Sequence, residues 1–127
     1  MTVGVHPFVR FISGKAVRRM LAQEHWYLGE ISNPVNVLFA ELDDERWIRF
    51  FFDAGVFFWS TVESPTLPES NEKHRYSLGD LGYSGTAENA DLAESFDAAQ
   101  LRIYFADGRV LELNNSQDRS WLGRGKN

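Results

Sequence analysis

The stretch WIRFFFDAGVFFWSTV, residues 47–62, decides the fold class. Aromatic and β-branched residues dominate it, and Asp53-Ala54-Gly55 splits it in two. It reads as a β-hairpin of strands Trp47–Phe52 and Val56–Val62. A three-residue loop with Gly55 in the left-handed conformation is expected. That register sets Phe52 opposite Val56, Phe51 opposite Phe57 and Phe50 opposite Phe58. It also sets Arg49 opposite Trp59 as a cation–π pair. Ile48, Phe50 and Phe52 then share one face with Val56 and Phe58. Trp47 and Phe51 share the other with Phe57 and Trp59, interrupted by Arg49. Both faces are largely apolar, whereas a sheet with one wet face alternates cleanly. The second face is therefore expected to lie under a helix and a long loop; if bare, it marks a partner or ligand surface.

Outward from this hairpin, His25–Ser32 and Val35–Leu42 read as strands parted by Asn33-Pro34, with a turn at Asp43-Asp44-Glu45. Val5–Ile12 is apolar with an early proline and reads as an edge strand. Ser13 then offers an N-cap to a short amphipathic helix over Lys15–Gln23, where Val17, Met20 and Leu21 fall at i, i+3 and i+4. Residues 63–100 are polar, hold Pro65 and Pro68, and read as a long loop or lid. A weak helical patch near Ala87–Phe96 would set Asp91, Glu94 and Asp97 on one face. Leu101–Phe105 and Val110–Leu113 form a last hairpin. A loop of Ala106-Asp107-Gly108 pairs Ile103 with Leu111, Leu101 with Leu113, Arg102 with Glu112 and Tyr104 with Val110. Residues 114–127 are polar apart from Trp121 and Leu122.

The expected architecture is α+β: an antiparallel meander of six to seven strands, strongly curved or a half-open barrel, with one short N-terminal helix. The length of 127 residues suits a single domain over 1–127, and 43% hydrophobic residues can fill a core. With no cysteine, disulfides, thiolate metal sites and a thiol nucleophile are excluded. No apolar run approaches the roughly 18 residues of a membrane span. Without the apolar core of a signal peptide, a soluble cytoplasmic protein is expected.

The chemistry-bearing motifs are weak. His6, His25 and His74 lack the spacing of a local metal pair. Ser13-Gly14-Lys15 lacks the upstream glycine of a phosphate loop, and Gly82-Tyr83-Ser84-Gly85 lacks the glycine of a nucleophile elbow. No catalytic, cofactor-binding or metal residue is assigned, and no cofactor is implied. Convergence of His25, Glu30 or Asp53 after folding is the enzyme alternative.

Charge is the remaining signal. The net charge is −5, yet residues 41–100 carry thirteen acidic against four basic side chains. That sign disfavours nucleic acid, which wants a basic stripe. It favours an interaction domain for another protein, a basic one, in the manner of an immunity-type neutralising protein. Neither nucleic acid nor membrane is expected as a partner; a homodimer is compatible. The expected surface comprises Asp43, Asp44, Glu45, Asp91, Glu94 and Asp97 with the aromatic face of Trp47, Arg49, Phe57 and Trp59. The competing reading is a small-ligand pocket with aromatic walls on the curved sheet and 63–100 as its lid.

Overall fold

Nine antiparallel strands and one short helix make up the described residues. The computed structural model describes residues 6–117 and 119–126. Helix α1 (Pro7–Ile12) is followed by β1 (Lys15–Tyr27), β2 (Glu30–Leu42), β3 (Trp47–Asp53) and β4 (Val56–Val62). Then come β5 (His74–Asp80), β6 (Gly85–Ala93), β7 (Ala99–Phe105), β8 (Arg109–Ser116) and β9 (Arg119–Lys126). The sheet order is β4-β3-β2-β1-β6-β7-β8-β9. Strand β1 is long enough to share one edge between β5, which pairs with Leu21–Tyr27, and β6, which pairs with Lys15–Val17. The count is nine rather than six to seven, because β5, β6 and β9 form in segments expected to be loop.

The sheet curls without closing. Its concave side holds the main core, including Met20, Leu38, Ile48, Phe50, Leu101, Ile103, Phe105 and Leu111. Helix α1 plugs this concavity. Phe8 is wholly buried, with its ring 5.2 Å from Phe50, 4.9 Å from Phe57 and 5.5 Å from Trp59. No ladder joins β4 to β9 among the described residues. Instead, loops clasp the two halves. The Gly55 amide donates to Asn115 Oδ1 at 2.9 Å, and the Ala54 amide to the Gln117 carbonyl at 3.1 Å. The Gln117 amide donates to the Phe96 carbonyl, and the Phe57 amide on the β4 edge to Glu94 Oε2 at 3.0 Å. Asn115 is buried, and its Nδ2 donates to the Arg119 carbonyl and to Ser120 Oγ.

Several local expectations are corrected, each for a physical reason. Pro7–Ile12 is helix, not strand (Val5 lies outside the described residues). Pro7 opens it, His6 Nδ1 accepts from the Phe8 amide at 3.1 Å, and Phe8 and Ile12 meet the core at i, i+4. Ser13 caps the other end of this helix, its amide and hydroxyl both donating to the Val9 carbonyl. Lys15–Gln23 is strand, not helix. A β-bulge between Val17 and Arg19 leaves both Arg18 and Arg19 outside, so the inward residues Val17 and Met20 are three apart. A second bulge between Ala87 and Asn89 spaces the inward Ala87 and Ala90 the same way, so Ala87–Phe96 also imitates a helix. Asn33-Pro34 does not end a strand either; it lies within β2, where the register with β1 shifts.

The two glycine-bearing hairpins divide. Between β7 and β8 the observed pairs are Ile103↔Leu111, Leu101↔Leu113, Arg102↔Glu112 and Tyr104↔Val110, with Gly108 at φ +92°, as face matching requires. Between β3 and β4 the turn has two residues, not three: Asp53 pairs with Val56, Ala54 has φ +50° and Gly55 φ +81°. The register slips by one, giving Phe52↔Phe57, Phe51↔Phe58, Phe50↔Trp59 and Arg49↔Ser60. Phe57 and Trp59 therefore face the core with Phe50, not the side of Trp47. The Arg49–Trp59 pair does not form; the Arg49 guanidinium lies 4.6 Å from the Phe51 ring centre instead.

An alanine Cβ at Gly55 would sit 2.7 Å from the Ser95 carbonyl oxygen and 2.8 Å from Phe96 Cα, whereas one at Gly108 meets nothing within 4 Å. Gly108→Ala should cost about 1 kcal/mol from its positive φ alone. Gly55→Ala should cost clearly more, because backbone must also move. Urea denaturation of both variants checks the order. Asn115→Ala should cost about 1–3 kcal/mol by stranding buried partners, and should accelerate amide exchange at Gly55.

Candidate functional site

Topology creates a cleft on the convex face of the sheet. Strand β4 lies at the end of the sheet, while β5 pairs with β1, beyond β3 and β2. The connection 63–73 must cross a face of the sheet, and α1 and the core already fill the concave face. It crosses the convex one. Two prolines suit this extended, ladder-free strap. Asn71 Oδ1 accepts from the Lys73 and His74 amides and delivers the chain into β5.

Under the strap lies a second apolar cluster of Val37, Phe39 and Trp47, flanked by Leu21, Phe51 and Val62. Thus the second face is covered only in part: Val56 is 47% exposed and Phe58, stacked on Phe51, 45%. Between strap and sheet opens a cleft of about 470 Å³. Thr66, Leu67 and Pro68 form one wall; Gln23, Asn36, Val37, Arg49, Phe51 and Asp53 contribute from the sheet. A neighbouring hollow of about 360 Å³ shares Arg49 and Thr66 and reaches Glu63.

Two polar groups in the cleft have no side-chain hydrogen bond or ion pair to a described residue. Gln23 is only 3% exposed, yet its carboxamide makes no hydrogen bond to a described residue. Every wholly enclosed side-chain nitrogen or oxygen among the described residues has a partner. The Gln23 carboxamide is therefore reached through the cleft. Arg49 is half-buried on Phe51, and no carboxylate among the described residues lies within ion-pair distance. Arg18 and Arg19, by contrast, both pair with Glu41.

The expected acidic residues fall in two groups. Asp43, Asp44 and Glu45 form the exposed β2–β3 turn, next to Trp47 at the start of β3. Glu94 and Asp97 lie in the β6–β7 connection, which meets the β3–β4 turn at the other end of β3. Seven strand residues, roughly 20 Å, separate those ends. Asp91 stands on β6, accepting from the Tyr104 hydroxyl at 2.9 Å. There is no helix face to align Asp91, Glu94 and Asp97; Asp97 accepts from Ser95 Oγ. Around the first turn the acids meet cations: Arg46 Nε reaches Asp44 at 2.7 Å, and Arg18 donates to the Asp43 carbonyl. Of the aromatic residues, Trp47 lies on the strap side beneath the Arg19 guanidinium, while Phe57 and Trp59 pack on α1. Only Arg49 among the ten expected residues lines the cleft.

The histidines lack local spacing in the sequence, and the fold brings two of them together. His25 Nε2 and His74 Nδ1 are 2.9 Å apart, with rings within 11° of parallel and centroids 5.1 Å apart. That separation is about the bond plus two ring radii, so the rings lie nearly edge to edge with one proton between them. Tyr76 and Tyr27 flank the pair. No third histidine, aspartate or glutamate joins them in a cluster among the described residues. A 49-residue separation, bridged by the β1–β5 ladder, hides the pair in the sequence. His6 lies elsewhere, 3.9 Å from Glu94. Among the described residues no helix is long and apolar enough to cross a membrane.

No family model, no curated protein and no solved structure matches this chain. Function is therefore read from its own residues.

Asp44 and Asp107 share a turn device. Each carboxylate accepts from the backbone amide two residues on and from that arginine's Nε, Arg46 and Arg109 respectively. The backbone hydrogen bond first, then the arginine side chain, hold both carboxyls below their ordinary value. A lowered value means that the turn is supported above the unfolded aspartate value of about 3.9 and loses that support as pH falls through the folded one. Carbon-detected NMR titration should find these two aspartates titrating below that reference.

Proposed function

We propose that this chain is a ligand-binding domain whose recognition site is the cleft between the strap and the convex face of β1–β3. One observation carries the reading: Gln23, a residue only 3% exposed, hydrogen-bonds through its carboxamide to no described residue, and it lines this cleft together with Arg49, which has no ion-pair partner among the described residues. Buried polar groups are ordinarily satisfied within the protein, so donors held open toward a cleft with an aromatic floor form a receptive site. Phe51 supplies the floor, Leu67 and Pro68 the apolar wall, and the strap holds the gap. Recognition through the acidic segment has less support, since its acids divide between two ends of β3 and several already bind arginine or backbone amides.

Anilinonaphthalenesulfonate, an anionic aromatic probe followed by its fluorescence, tests the assignment. Binding should weaken about tenfold, or about 1.4 kcal/mol, in Phe51→Ala. It should be unchanged in Phe11→Ala, which alters the separate apolar groove of Pro7, Arg10, Phe11 and Trp59. The opposite pattern would place recognition at the helix and overturn the reading.

A further inference from the structure

The cleft also discriminates by charge. We propose that its ligand is a small amphipathic monocarboxylate, bound with its carboxylate on Arg49 and the Gln23 amide and its apolar body between the edge of the Phe51 ring, Leu67 and Pro68. The inference rests on the binding-site reading above and adds the ligand's chemical class.

The charge assignment comes from what surrounds Arg49. Its guanidinium is a planar fork with several N–H donors, and none of them meets an acceptor among the described residues. Held on the Phe51 ring at 4.6 Å, it is fixed in place by the cation–π contact. A fork so held fits a carboxylate with two parallel hydrogen bonds. The Gln23 Nε2 can add a neutral donor from the floor. Asn36, on the same wall, offers another amide.

The count of charges sets the class. Among the described residues Arg49 is the only cationic one lining the cleft or the adjoining hollow, whereas Asp53 lines the first and Glu63 the second. A dianionic phosphate would bring a second negative charge with no second cation to meet it, close to two carboxylates. A monoanion is matched by one guanidinium and two amides. A cationic ligand would displace nothing and would face Arg49 directly. The remaining walls, Val37, Phe51, Leu67 and Pro68, call for an apolar body rather than a sugar or an inorganic ion.

The strand geometry sets the pose. Arg49, Phe51 and Asp53 alternate onto the convex face, each step about 6.8 Å along β3. A carboxylate at Arg49 therefore directs the body of the ligand along Phe51 beneath Leu67. The exposed Asp53 carboxylate at the far mouth disfavours a second anionic end.

The experiment compares three molecules of one shape on the full chain: hydrocinnamate, hydrocinnamyl alcohol and hydrocinnamylamine. Calorimetry or amide NMR gives affinities, and side-chain resonances of Gln23 and Arg49 report the site. Hydrocinnamate should bind at least about tenfold tighter than the alcohol, the range of one charge-assisted hydrogen bond, and move both side-chain resonances. Arg49→Gln should abolish this preference, lowering the acid's affinity to that of the alcohol. Arg49→Lys, which keeps the charge but not the fork, should retain part of it, and serves if Arg49→Gln fails to fold. Equal binding of acid and alcohol, tighter binding of the amine, or a preference that survives Arg49→Gln would overturn the carboxylate inference and leave the cleft as a binding site. Binding by none of the three overturns both.

Discussion

The curled sheet depends on the buried amide of Asn115. A sheet that curves without closing has two free edges and nothing in its ladder to hold the curvature. Asn115 supplies what a closing ladder would: its Oδ1 takes the Gly55 amide from the β3–β4 turn, while its Nδ2 holds the chain entering β9. Gln117 and Glu94 extend the same clasp to Ala54 and Phe57. Because these are hydrogen bonds to backbone amides, they also dress an edge that would otherwise recruit foreign strands. The constraint acts backward on local structure. Ala54 takes a left-handed conformation unfavourable for alanine because its amide is fixed to the Gln117 carbonyl.

From that two-residue turn follows the chemistry of both faces. The one-residue register slip turns Phe57 and Trp59 inward, where α1 packs on them, and turns Val56 and Phe58 outward. The convex face is left with Trp47, Arg49 and Phe51 under the strap. The strap itself is a consequence of strand order. Since β5 joins β1 rather than β4, the connection has to span the sheet, and the filled concave side sends it over the convex one. The cleft is thus a by-product of topology, furnished with an arginine and a glutamine that have no partner among the described residues.

Sequence patterns were legible where pairing is local. The β7–β8 hairpin could be registered from Arg102 with Glu112 and Ile103 with Leu111, because Gly108 and opposed faces admit one solution. The same argument misled at Asp53-Ala54-Gly55, where a three-residue loop asks only Gly55 to be left-handed but Ala54 takes φ +50° as well. Bulges account for the false helices. One extra residue at Arg18 and another near Glu88 spaced inward residues three apart, a period otherwise belonging to helices. Of the cleft, the sequence points to Arg49 and Phe51 on the aromatic face, to Asp53 and to segment 63–100 as a lid, without showing that they meet. Gln23 carried no signal, being a polar residue whose burial depends on Val37 and the strap.

By itself the sequence determined the β-rich class, the aromatic hairpin at its centre, the absence of thiol chemistry and the register of the last β-hairpin. Each follows from composition or from residues within a few positions of one another. Only the tertiary structure decided the strand count and the separation of the acids. It also decided the meeting of His25 with His74 and the union of Gln23, Arg49 and Leu67 around one cleft. Those outcomes depend on which distant edges pair and which face a connection must cross. Such choices are set by the packing of the whole chain, and alternation along a strand does not encode them.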